Sequence, residues 1–125
     1  MDTTCRVLIV DDYSAMGRML RRSLREVGFK AVDLATTGAA ALARLRGKRY
    51  GLVFSGLKLK PMSGLDLARF MRADPSLKSL PVIALADEAT PDAERAAKQA
   101  GISDTIVKGF TIDTVRKKIV AALGG

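Results

Sequence analysis

The chain of 125 residues contains no histidine, no tryptophan and a single cysteine, Cys5. Without histidine there is no imidazole general base and no zinc-type ligand cluster. One cysteine cannot close an internal disulfide, and Cys5 reads as inert. Aromatic residues make up 5% of the chain, too few for the interleaved stacking platform of a single-strand nucleic-acid binder. Long apolar runs are also missing. "RVLIV" and "LPVIALA" fall far short of the ~20 residues a membrane-spanning helix needs. No apolar segment with a cleavage site opens the sequence, so a cytoplasmic location is expected. Acidic residues are outnumbered, 13 against 21 Lys and Arg, for a net charge of +8. Such an excess suits nucleic acid, an acidic protein surface or anionic lipid, and equally suits solubility alone.

What is present is an alternation. The length and the 48% hydrophobic content predict one globular domain, residues 1–125, with a core of ordinary proportions. "RVLIV" (6–10) is a β-branched apolar run suited to a strand buried on both faces, and it ends abruptly at Asp11 and Asp12. From Ser14 the period changes: Met16, Leu20, Leu24 and Val27 recur at helical spacing, Arg18, Arg21, Arg22 and Arg25 take the other side, and Gly28 closes the helix. The same reading predicts strands at 31–35, 51–54, 80–86 and 104–108. It places helices at about Thr37–Arg46, Gly64–Arg72, Thr90 or Pro91 to Gly101, and Thr111–Leu123. Five strand–helix units in succession imply an α/β fold with a parallel sheet covered on both faces.

Four ordered blocks carry a family likeness: "LIVDDYSAM", "KPMSGLDLARFMRADP", "LPVIALADEA" and "IVKGF". On these the chain resembles a response-regulator receiver domain, CheY-like in style, nearly end to end. The resemblance implies a doubly wound, flavodoxin-like sheet of five parallel strands in the order 2-1-3-4-5 with five helices. In that family an acid pair after the first strand and an aspartate after the third hold magnesium, and the aspartate accepts a phosphoryl group. Asp11 and Asp12 match the acid pair, and Lys108 matches the lysine that serves the phosphoryl group. The phosphoacceptor position falls on Gly56, which has no side chain to act as nucleophile or ligand. Lys58 stands where a backbone carbonyl completes the family's metal site. The relay hydroxyl after the fourth strand is Ala86, the relay aromatic of the fifth strand is Thr105, and the proline after the lysine is Gly109. A design that silenced phosphorylation would need one of these changes only. The likeness is therefore to a pseudo-receiver.

Each candidate site also has a plainer reading. Asp11 and Asp12 suit the start of the next helix as well as residual magnesium, for which weak or absent binding is expected. For Lys108 the expectation is a salt bridge that offsets the acid pair. Ser55 and Ser63 flank Gly56 but have no adjacent base to activate a hydroxyl. In the doubly wound topology the first and last helices share one face of the sheet, so Arg18, Arg21, Arg22 and Arg25 are expected beside Arg116, Lys117 and Lys118. That basic face is either a solubilising surface or an anion-binding one.

These readings point to a non-enzymatic, stand-alone signalling module that needs no cofactor, works through protein–protein binding and is not controlled by aspartyl phosphorylation. A histidine kinase, a flagellar switch component or another receiver is the partner the resemblance implies. The surface it suggests runs through the fourth helix, fifth strand and fifth helix. An alternative is an anion-binding effector whose basic helix face holds a nucleotide second messenger or nucleic acid.

Overall fold

The computed structural model describes residues 1–124. Strands and helices alternate strictly: β1 (Val7–Val10), α1 (Ala15–Val27), β2 (Val32–Ala35), α2 (Gly38–Gly47), β3 (Leu52–Gly56), α3 (Gly64–Ala73), β4 (Val82–Ala86), α4 (Pro91–Ala100), β5 (Asp104–Val107) and α5 (Ile112–Leu123). All strand pairings are parallel, and the sheet runs β2-β1-β3-β4-β5, the topology expected from the resemblance.

The apolar runs fill the sheet because successive side chains point to opposite faces. Leu8, Val10, Val53, Val82 and Ala84 face α2, α3 and α4. Val7, Ile9, Leu52, Phe54, Ile83, Leu85 and Ile106 face α1 and α5. Each fully buried Leu or Ile contributes roughly 1.5–3 kcal/mol relative to exposure, which is why neither face tolerates the polar alternation of a half-exposed strand.

Local chemistry sets where the helices begin. Ser14, Thr37, Ser63, Thr90 and Thr111 stand at the five N-caps, and each hydroxyl accepts from the backbone N–H three residues on. Gly28, at φ 123°, closes α1 with its N–H donated to the Leu24 and Arg25 carbonyls. The strand ends differ from the expected ones. β3 runs two residues past the expected 54, because Ser55 pairs with Val10 and Ala84 and Gly56 pairs with Leu85. A central strand is held by its neighbours' ladders whatever its side chains. Arg6 and Leu80–Pro81 lie outside β1 and β4, and Lys108 follows β5 with its N–H still donated to the Ala86 carbonyl at 2.9 Å.

Arg72 on α3 holds the lower part of the fold. Its guanidinium donates to the carbonyls of Gly101 (2.9 Å), Leu77 (3.2 Å), Lys78 (3.0 Å) and Leu80 (2.8 Å), and burial lowers its pKa. A Cβ at Gly101 would collide with the same side chain, and its φ of 94° also favours glycine.

Candidate functional site

The carboxyl ends of β1, β3 and β4 open into a cleft of about 340 Å³, lined by Asp11, Asp12, Gly56, Leu59, Ala86 and Thr90 among others. In an open parallel sheet this edge is where ligands bind.

Asp11 leaves the end of β1 and is 5% exposed. Both carboxylate oxygens are occupied by one residue: the Ser14 N–H donates to Oδ2 at 2.7 Å and the Ser14 hydroxyl donates to Oδ1 at 2.6 Å. The same hydroxyl accepts from the Gly17 N–H at 3.0 Å. Asp11 thus steadies the first turn of α1 through its cap, and the helix-start reading describes it. Gly17 is glycine for space, since a Cβ there would overlap the Asp11 carboxylate. Asp12 is exposed and has no partner among the described residues. Tyr13 follows at φ 68°, a left-handed conformation uncommon for such a side chain, with its carbonyl accepting from Arg18 at 2.6 Å.

Gly56 ends β3 on the floor of the cleft. Its φ is not positive, and the nearest atoms a Cβ would meet are Leu59 at 3.6–3.8 Å and the Val10 carbonyl at 3.8 Å, ordinary contact distances. Neither backbone nor packing requires glycine here. Gly64 nearby is the opposite case: its Cβ would strike the Gly56 carbonyl. Ala86 is buried at the end of β4 and lines the cleft, while Thr105 sits half-buried within β5 opposite Ala84.

The expected ion pair between Lys108 and the acid pair does not form. Lys108 is exposed and has no carboxylate partner among the described residues, because Asp11 is already satisfied by Ser14 and Asp12 faces water. The lysine that reaches the cleft is Lys58, paired with Asp87 at 3.4 Å with both groups exposed. The serines are committed too. Ser55 is fully buried and donates to the Gly56 carbonyl at 3.0 Å, and Ser63 caps α3.

Magnesium prefers six oxygen ligands in near-ideal octahedral geometry. The set is incomplete for it: each Asp11 oxygen already accepts one hydrogen bond from Ser14, Gly56 brings no side-chain ligand, and among the described residues no three acidic, cysteine or histidine side chains form a metal-holding group.

The basic residues separate into two sets. Arg18, Arg21, Arg22 and Arg25 line one shallow exposed groove on α1 with Glu26. Helix α5 does share a sheet face with α1, as expected, but its cations are largely answered. Lys117 pairs with Asp113 at 3.3 Å, and half-buried Lys118 pairs with Asp104 on β5 at 2.9 Å. Only Arg116 is left without an acidic partner among the described residues. The α1 and α5 cations thus share a sheet face, with Lys117 and Lys118 each held by a nearby acid and the α1 arginines not so held among the described residues.

A polar group the sequence reading passed over lies on β2. The Tyr50 hydroxyl donates to Asp33 at 2.6 Å, and Arg6 approaches the same carboxylate at 3.3 Å. The Tyr50 hydrogen bond, then Arg6 and Lys48, hold Asp33 below the usual carboxylate range against its partial burial. Burial, then Asp33, pushes the Tyr50 phenol up. Burial likewise raises the Cys5 thiol, consistent with an inert role.

Comparison with known proteins agrees with this fold. The chain is 38% identical over 114 residues to the chemotaxis protein CheY of Pseudomonas aeruginosa, covering 91% of this chain and 92% of that one. It is 36% identical over 119 residues to chemotaxis protein CheY-3 of Vibrio cholerae, covering 95% and 92%. The high-resolution structure of the chemotaxis response regulator CheY4 of V. cholerae superposes with a TM-score of 0.87 at 27% identity, over 97% of this chain and 100% of that one. The response regulator receiver domain pattern matches residues 7–120, and the chain belongs to that family.

Proposed function

We propose that this receiver-family chain is a non-enzymatic cytoplasmic signalling module, that it acts by binding another protein, and that aspartyl phosphorylation does not switch it. The observation that carries the reading is Gly56. The residue at the floor of the cleft has no side chain to attack phosphorus, and nothing in its backbone or surroundings explains the glycine. Ala86, on the same cleft wall, offers no hydroxyl to a phosphoryl oxygen, and Thr105 offers no ring to move in response. The engagement of Asp11 with Ser14 supports the same reading, since the carboxylate has a structural role at the α1 cap that needs no ion.

Output then rests on contact. The α4–β5–α5 face is the proposed surface, and a histidine kinase, a flagellar switch protein or another receiver is the proposed class of partner, in keeping with the chemotaxis relatives. The test is capture from the native lysate on immobilised protein, run in parallel with and without acetyl phosphate and magnesium. The same partner should be retained equally in both arms. Retention only with the phosphodonor would sink the reading, as would loss of the partner in neither Arg116→Glu nor Lys98→Glu variants of the proposed face.

A further inference from the structure

Residues 18–49 carry nine Lys and Arg against two acids, Glu26 and Asp33, so this stretch holds +7 of the chain's net +8. The stretch comprises α1, the edge strand β2 and α2, which are contiguous at one end of the sheet. The charge excess therefore belongs to a single flank of the molecule, and the remaining residues are nearly neutral.

Side-chain placement concentrates it further. Met16 lines the carboxyl-edge cleft together with Ala86 and Thr90, so that side of α1 is turned toward β4. At 3.6 residues per turn, Arg21 and Arg25 lie on the opposite side, toward the β2 edge, with Arg18 and Arg22 between them and solvent. On the other face of the sheet, α2 carries Arg44 and Arg46 and Lys48 follows it; Lys48 helps lower the Asp33 pKa, and Arg44 acts to lower that of Tyr50. Asp33 is the one carboxylate there, and Tyr50 and Arg6 already engage it. Arg21, Arg22 and Arg25 have no acidic partner among the described residues.

We infer that the α1–β2–α2 flank docks the phosphate backbone of duplex nucleic acid, without reading its sequence. Three features select this occupant. Seven of the nine cations are arginine, whose planar fork matches phosphate oxygens bidentately and is weakly hydrated. The α1 row from Arg18 to Arg25 spans about 10 Å, long enough to follow several backbone charges rather than to enclose a mononucleotide. The flank exposes no aromatic ring, since Phe29 and Tyr50 are buried. It therefore lacks the stacking platform of single-strand binding, and Met19, 55% exposed on α1, is the one large apolar side chain it exposes among the described residues, short of the apolar face that interfacial lipid binding needs.

The experiment is fluorescence anisotropy of a labelled, mixed-sequence duplex of about 20 base pairs at rising salt. Parallel arms contain the single strand, phosphatidylglycerol vesicles and polyglutamate. Wild type should bind the duplex at low salt and lose roughly 100-fold in affinity between 50 and 200 mM, the slope for about four released counterions. Arg21→Glu with Arg25→Glu should weaken low-salt binding by more than tenfold, and the charge-removing pair Arg21→Gln with Arg25→Gln by a smaller factor. Arg116→Glu with Lys117→Glu, the same charge change placed on α5, should cost less than threefold. Circular dichroism confirms that each variant is folded. Absence of low-salt binding overturns the proposal, as does an equal loss from the α5 pair, which would mean net charge alone. Tighter binding to vesicles, polyglutamate or single strand also overturns it. None of these outcomes bears on Gly56 or on partner capture, so this proposal fails or stands apart from the protein-binding reading.

Discussion

The carboxyl-edge cleft and the β2 flank handle charge in opposite ways. In the cleft, each Asp11 oxygen accepts from Ser14 and Asp87 is answered by Lys58, so of its acids only Asp12 and Glu88 face solvent without a cationic partner among the described residues. On the flank, the α1 arginines have no acidic partner among the described residues while Asp33 collects a phenol and two cations. Burying a carboxylate requires hydrogen bonds, and Asp11 obtains them from the cap of α1. An exposed arginine requires no such compensation. Asp11 is thus part of the scaffold, and the charge excess lies elsewhere.

Within the cleft, two glycines should separate most sharply. Gly64→Ala sets a methyl group against the Gly56 carbonyl and should cost about 3 kcal/mol, the upper range for overpacking, in urea denaturation. Gly56→Ala has room and an ordinary φ, so it should be neutral or stabilising by up to ~1 kcal/mol. Equal costs at the two positions would mean that Gly56 is kept for the fold after all.

The acid pair should divide next. Asp11→Ala removes both acceptors from Ser14 and should destabilise by about 1–2 kcal/mol, as for a lost cap with a buried donor left over. Asp12→Ala, at an exposed carboxylate, should stay within ~0.5 kcal/mol. The ranking would reverse if Asp12 were the structural member.

On the flank, stability should respond to pH at both ends through one pair. Asp33 has a depressed pKa, so its contribution is present above the ordinary carboxylate value of about 4 and is lost as pH falls through the lower folded value. The Tyr50 phenol is raised, so its contribution is present below about pH 10 and is lost as pH rises through the higher folded value. Urea midpoints across pH should show both limbs, and Tyr50→Phe should remove the alkaline one and shrink the acid one. The smallest effect belongs to Lys58→Ala: its pair with Asp87 is exposed at both ends and should contribute less than ~0.5 kcal/mol.

The repeating framework was legible because it is local. The switch from "RVLIV" to the Met16–Leu20–Leu24 stripe marks β1 and α1, and the Ser and Thr caps mark helix starts within a residue. Gly56, Ala86 and Thr105 were legible only against a family pattern, since a glycine at a strand end has no periodicity of its own. What could not be read were partners distant in sequence. Lys118 finds Asp104 and Arg72 finds Gly101, 14 and 29 residues apart, and those pairings decide which cations remain free. The Asp11–Ser14 pair is local and could have been found: an acid three residues before a capped helix turn is a pattern a cap search detects.

The central claim is that the floor of the cleft cannot take a phosphoryl group, and intact mass spectrometry after incubation with acetyl phosphate and magnesium measures it directly. The wild-type mass should remain unchanged under conditions that phosphorylate a receiver with an aspartate at this position. A stoichiometric, acid-stable or hydroxylamine-labile addition of one phosphoryl group to the wild-type chain would contradict the account.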